Sequence, residues 1–367
     1  MRPLICEVQT AHTPESLVEQ FRGCSDGHLQ SNTVLLRGNG DSSRYSFLGV
    51  NPFLVFRSFG SRCEITRRSS PARHVQFGNP WQVLDSIMSR FELLDEVDYP
   101  FPLGGCFGFW GYDLKNFTEP KLPRRALNDL ELPDCHVGFY DSLVVFDHQL
   151  GKIFIVSTGL DVDGSRTEKR AHEQFNAWNR RLTGPSRAPA RSAHKEARPS
   201  DGGQGINSNL SRSDFLNAVQ RAQKYIRAGD IYQVNLSQRL VAPCSVSGWE
   251  FFQRLNAVSP APFAAWLDCE DFQIASSSPE QFLRLSGSHI ITRPIKGTRP
   301  RHTNPTRDAQ LAYELQTSAK ELSELVMITD LLRNDLGKIC EFGSVQVPEL
   351  AKLEKFAHVQ HLVSTVE

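Results

Sequence analysis

Residues 183–209 divide this chain. The run TGPSRAPARSAHKEARPSDGGQGINSN is rich in glycine, proline, serine and charge, and it holds few large apolar side chains. A segment of that composition buries too little apolar surface to offset the entropy of ordering it, so it predicts a flexible linker. The flanking regions, residues 1–182 and 210–367, each suit one domain, since a typical domain has roughly 150 residues.

Both flanks alternate short apolar runs with helical patterns. Residues 33–36, 53–56, 142–146 and 152–158 are rich in β-branched, aromatic and leucine side chains and predict strands. Residues 80–94 and 168–182 predict helices. After the linker, Ser211 or Ser213 can cap a helix in which Phe215, Val219, Ala222 and Ile226 form one stripe, and Gly229 ends it. Tyr232, Val234, Leu236 and Gln238 alternate with period two and predict a strand. Residues 281–293 predict a hairpin turning near Ser286-Gly287-Ser288. One long helix is predicted from about Asp308 to Asn334, with Gly337 just beyond it. Strands and helices mixed in this way indicate an α/β or α+β architecture with a large sheet.

Bulk charge excludes some partners. Lys plus Arg and Asp plus Glu both number 41, so net charge favours neither nucleic acid nor a membrane surface, and an anionic ligand must be held by local groups. The eight cysteines are scattered without a Cys-x-x-Cys, which fits reduced thiols in the cytoplasm better than a disulfide framework or a zinc site. The N-terminus lacks the apolar run of a signal peptide, and no apolar stretch is long enough to span a membrane.

Lys296, in Pro294-Ile295-Lys296-Gly297-Thr298-Arg299-Pro300-Arg301, is the residue with most chemical potential. A free lysine has a pKa of roughly 10.4, so a nucleophilic lysine needs desolvation or a cationic neighbour. If Gly287 centres a three-residue loop, Glu280 falls opposite Pro294 and Lys296 lies two places further on the same face. Such diagonal neighbours are about 7–8 Å apart, a span that a small ligand bridges. A two-residue turn sends Lys296 to the other face. Two solvated charges on a sheet edge fit the same pattern. Thr298 offers a hydroxyl, while Arg299 and Arg301 are either carboxylate ligands or surface residues. Glu321 and Glu324 share a helix face at i, i+3. Magnesium takes one or two carboxylates plus water and ligand oxygens, although an exposed acidic face is the commoner meaning of such a pair. His358 and His361 have the same spacing but no zinc motif.

Several segments occur together and in order. They are residues 230–238 (DIYQVNLSQ), Ser278-Pro279-Glu280, the Lys296 segment, residues 330–337 (DLLRNDLG) and residues 359–364 (VQHLVS). In the first half, residues 44–49 (RYSFLG) and 104–113 (GGCFGFWGYD) accompany them. With these the chain resembles the chorismate-utilising enzymes, the family of the component I chains of anthranilate and aminodeoxychorismate synthases and of the isochorismate and salicylate synthases. The resemblance covers nearly everything but the linker. Anthranilate synthases usually carry alanine at the position of Lys296, whereas the aminodeoxychorismate branch carries lysine, so the resemblance is nearest to the latter.

The resemblance implies an α+β fold of two large, roughly orthogonal antiparallel sheets flanked by helices. It implies residues 1–182 as the family's N-terminal region and residues 210–367 as the chorismate-binding catalytic domain. It implies conversion of chorismate and ammonia to 4-amino-4-deoxychorismate in para-aminobenzoate and folate biosynthesis. Lys296 would attack the ring and Glu280 would protonate the leaving oxygen. Gly297 and Thr298 would contact a substrate carboxylate, and His361 would line the site. Glu324 would hold Mg²⁺, with Glu321 helping through water, and a glutamine amidotransferase subunit would supply ammonia. The alternatives are an anthranilate synthase component I and a non-catalytic subunit. The family pattern normally runs past the equivalent of Glu367, which implies an incomplete catalytic domain with little activity alone. Leu35-Leu36-Arg37-Gly38 stands where tryptophan-regulated relatives carry Leu-Leu-Glu-Ser, which implies no inhibition by tryptophan.

Overall fold

A computed structural model describes residues 2–22, 32–38, 43–93, 98–125, 128–184 and 205–367. Most of the expected linker, including residues 185–204, lies outside the described residues. The chain divides into two compact units, Met1–Pro189 with Phe251–Glu367, and Ala190–Glu250.

The first unit is α+β, and two large antiparallel sheets dominate it. One has seven strands in the order Leu4–Val8, Lys152–Ser157, Ser142–Asp147, Tyr45–Gly49, Val34–Arg37, Phe263–Asp268, Gln273–Ser278. The other has five, in the order Ser70–Phe77, Arg62–Arg67, Leu54–Phe59, Cys135–Tyr140, Gly105–Trp110. Every residue of Cys135–Tyr140 and of Ser142–Asp147 is buried, as expected of strands covered on both faces. Only Asp141 separates them, so the chain passes from one sheet to the other in a single residue. Its buried carboxylate is paired with Arg68 at 3.2 Å and Arg170 at 3.3 Å, which offsets the cost of burying it. Helix Glu168–Leu182 has the predicted bounds. Thr167 caps it, and its buried Ala171, Gln174, Trp178 and Leu182 face the seven-stranded sheet's side, where Trp178 Nε1 donates to Ser142 Oγ at 3.0 Å.

Two strands of the large sheet come from beyond the expected linker. Ala264 lies opposite Arg37, and Leu267 opposite Val34. The sheet therefore crosses the 182/210 division, because Phe263–Asp268 supplies the backbone partners that Val34–Arg37 would lack as an edge strand.

Three local expectations are corrected. The helix expected over residues 80–94 is Pro80–Met88, and Leu94 lies outside the described residues. Residues 232–238 form no strand. In the second unit, among the described residues, Asn207–Ser208 pairs with Leu240–Val241, helix Arg212–Ala228 lies between them in sequence, and Tyr232, Val234 and Leu236 stay exposed. Alternation alone does not make a strand without ladder pairing. The single long helix is two, Pro305–Gln316 and Ala319–Gly337. Ser318 stops the run by turning its hydroxyl to the N–H of Glu321, which starts a new helix.

Further along the chain come a hairpin, Gln281–Ser286 with His289–Arg293, and a three-stranded antiparallel sheet in the order Ile295–Pro300, Val359–Thr365, Glu349–Lys355. Ser286 pairs with His289, so the turn holds two residues, not three. A bulge between Gln281 and Arg284 absorbs one residue and returns Gln281 to Arg293. The register expected near Glu280 is thus recovered by a route other than the turn. Leu315, Leu325 and Leu362 form the buried cluster that seats the two helices on the three-stranded sheet.

Candidate active site

Strand Ile295–Pro300 organises the candidate site. Lys296 pairs with Leu362 and Thr298 with His361, which leaves Gly297 as an extra residue between them. Gly297 has φ 74°, the left-handed conformation that glycine adopts without penalty. A Cβ there would lie 2.9 Å from Leu315 Cδ1 and 3.0 Å from Glu321 Cβ, so the bulge also needs glycine for space. Directly opposed residues of a ladder share a face and successive ones alternate. Lys296 therefore shares the face of Leu362, which the helices cover, while Thr298 shares the opposite face with His361 and Glu354.

Lys296 is half-buried, and its strand runs past Gly297 to Pro300. Among the described residues its ammonium has no hydrogen-bond or ion-pair partner. Glu280 is exposed, and its Oε1 accepts the N–H of Ile295 at 3.0 Å, which ties the carboxylate to the residue before Lys296. This contact fixes Glu280 against the backbone beside Lys296, and it is made to Ile295 rather than to the Lys296 ammonium.

Gly297, Thr298 and His361 form a second group. His361 Nδ1 lies 3.0 Å from Thr298 Oγ1 and 3.4 Å from the carbonyl of Gly297. A carbonyl only accepts, so Nδ1 carries the proton in that contact. Burial holds the imidazole below its usual pKa, against the opposing pull of the Gly297 carbonyl and of Glu280 and Glu354, so His361 is neutral at pH 7. Phe356 packs against its ring with centroids 5.5 Å apart. His361 and Lys296 lie on opposite faces of the sheet, a separation that the sequence did not reveal. His358 is used structurally, its Nε2 against the Val258 carbonyl.

Glu321 and Glu324 lie one turn apart near the start of helix Ala319–Gly337, on the side that packs against Gly297. The Glu321 side chain is 14% exposed and meets Arg299 Nη1 at 3.5 Å, so one carboxylate already has a cationic partner. Among the described residues no group of three or more His, Cys, Asp or Glu is arranged to hold a metal. Two carboxylates without nitrogen or sulfur donors fit a hard cation such as Mg²⁺, which takes its other ligands from water and substrate. Arg301 is not available to a ligand: it chelates Asp308 through Nε at 2.9 Å and 3.2 Å and donates to the Phe356 carbonyl at 2.9 Å. The Asp308 partner and the Arg299–Glu321 pair were missed in the sequence, since their members meet only through the helix–sheet contact.

Comparison with known proteins is decisive at the level of family. The pattern of the chorismate binding enzyme family matches residues 33–367. The chain belongs to that family. It is therefore a chorismate-utilising enzyme by relationship. It is 34% identical over 368 residues to anthranilate synthase component 1 of Acetivibrio thermocellus, covering 100% of this chain and 73% of that protein. It is 36% identical over 343 residues to aminodeoxychorismate synthase component 1 of Escherichia coli (strain K12), covering 92% and 70%. The crystal structure of anthranilate synthase component I from Streptococcus pneumoniae TIGR4 shares the fold with a TM-score of 0.71 at 26% identity, over 90% of this chain and 70% of that one. The two relatives named thus divide between an anthranilate synthase and an aminodeoxychorismate synthase component. Among the described residues, no helix is long and apolar enough to cross a membrane.

Proposed function

We propose that this chain is the chorismate-converting component of an aminodeoxychorismate synthase. The observation that carries the reading is Lys296, half-buried on the helix-covered face, with the Glu280 carboxylate anchored to the adjacent N–H. To react as a nucleophile, the lysine must first lose its proton. Lys296 Nζ then forms a bond to C2 of the chorismate ring. The conjugated double bonds shift, and the C4 hydroxyl leaves as water with a proton from Glu280. Ammonia adds at C4, the double bonds shift back, and the lysine departs, which leaves 4-amino-4-deoxychorismate. Gly297 and Thr298 offer backbone and hydroxyl contacts to a substrate carboxylate, and His361 holds the Thr298 hydroxyl in place. Mg²⁺, held by Glu324 with help from Glu321, would offset the charge of the substrate's carboxylates when bound. Ammonia would come from a glutamine amidotransferase partner, a role that suits relatives named as component 1.

The second reading is anthranilate synthesis, favoured by the match to an enzyme of that name over 100% of this chain and 73% of that protein. Chorismate, ammonium and Mg²⁺ incubated with the purified chain and its amidotransferase separate the two by the mass of the product. The proposal expects 4-amino-4-deoxychorismate, and anthranilate overturns it. Without ammonia, intact-protein mass is expected to show a chorismate-derived adduct that Lys296→Ala abolishes. An adduct that survives in Lys296→Ala removes the nucleophile assignment.

A further inference from the structure

The first unit holds a cavity that the chemistry above leaves unused. It lies between helix Pro80–Met88, strand Gly105–Trp110 and the end of strand Cys135–Tyr140, and its volume is about 560 Å³. Small-molecule sites typically span about 300–1,000 Å³. One wall is aromatic. Phe53 and Phe91 meet edge to face with centroids 4.9 Å apart, and Phe139 stands 6.1 Å from each. Gly104 keeps another wall open, because a Cβ there would lie 3.1 Å from the Tyr140 carbonyl and 3.2 Å from Thr158 Cγ2.

The charged groups around this cavity are unequal. Asp85 and Glu92 bring two exposed carboxylates to the rim, and neither has an ion pair among the described residues. Arg166 is the cation of the lining, and its Nη2 is committed to the Phe91 carbonyl at 2.8 Å. An acidic rim disfavours anions such as chorismate and attracts an ammonium group. Aromatic ring faces attract the same cation. An apolar ligand body would cover the lining's remaining accessible apolar surface, at half-buried Phe91 and exposed Met88.

We propose that this cavity binds a small aromatic amine, its ring against the aromatic wall of Phe53, Phe91 and Phe139 and its ammonium at Asp85 and Glu92. The site is separate from the Lys296 strand, and the proposal does not depend on which reaction the chain performs. Calorimetric titration of the full chain with 2-phenylethylamine tests it, with 3-phenylpropionate as the anion of similar shape. The amine is expected to bind saturably at one site and the anion not to bind. Asp85→Asn with Glu92→Gln removes charge from exposed positions and is expected to weaken the amine about tenfold or more, the usual scale for losing a charge-assisted contact. Ser89→Trp, at an exposed lining position, is expected to abolish binding with unchanged thermal stability. Absence of saturable heat, equal binding of the anion, or undiminished binding to both variants overturns the proposal.

Discussion

Asp308 shows at residue scale how a side chain acquires its meaning from the fold. Its carboxylate takes Arg301 Nε at 2.9 Å and the N–H of His302 at 3.0 Å, with Lys355 Nζ at 3.5 Å. The hydrogen bond from Arg301 is the main cause that holds its pKa at about 2. An unfolded aspartate titrates near ~3.9, so the folded value is depressed. The stabilisation is therefore complete above pH ~4 and disappears as pH falls through the folded value. Acid unfolding followed by circular dichroism is expected to show a loss of stability between pH ~4 and ~2 that Asp308→Asn lacks. Identical acid profiles for the two proteins contradict the assignment. In the sequence, Arg301 was one of two arginines that suited a ligand carboxylate. Nothing local distinguishes it from Arg299, because the carboxylate of each is supplied by a helix packed on the strand. Gly297 was more legible: glycine between Lys296 and Thr298 pointed to close backbone approach. The approaching groups, Leu315 and Glu321, were visible only in the folded chain.

At the scale of elements, caps and bulges decided what periodicity left open. The apolar pattern runs through residues 308–334 without interruption, yet Ser318 divides it. Ser318 has Glu321 three residues on, the spacing of a capping box, so the break had a sequence signature that the longer pattern obscured. Ser318→Ala is expected to cost about 1 kcal/mol in denaturant unfolding, the usual price of an N-cap. A loss within error of zero would mean that the packing of Leu315 and Leu325 sets the break instead. The hairpin carries the same lesson in opposite sense. Its turn is one residue shorter than expected, and the bulge after Gln281 restores the pairing beside Glu280. Turn length and bulge cannot be separated in sequence, because each changes the register by one residue and the two cancel. Residues 232–238 alternate like a strand but are not assigned to one among the described residues.

For the whole molecule, the seven-stranded sheet joins regions that the linker composition had set apart. Trp266 is fully buried on the strand that pairs with Val34–Arg37. Trp266→Ala is expected to cost about 3–5 kcal/mol, the range for emptying a buried aromatic site. Hydrogen exchange should quicken together in Val34–Arg37 and Phe263–Asp268, since these strands share one ladder. Exchange that quickens only in Phe263–Asp268 would show that the two regions open independently.

The sequence by itself determined the family, the mixed α and β content, most strand and helix positions, and the chemical types at the candidate site. Those properties depend on local pattern and on residue identity. Only the tertiary structure decided that the large sheet crosses the linker, that Lys296 and His361 occupy opposite faces, and that Arg299 and Arg301 already have carboxylate partners. Each of these depends on pairing register or on contact between distant segments, where a shift of one residue reverses the face and a partner's location is not encoded nearby.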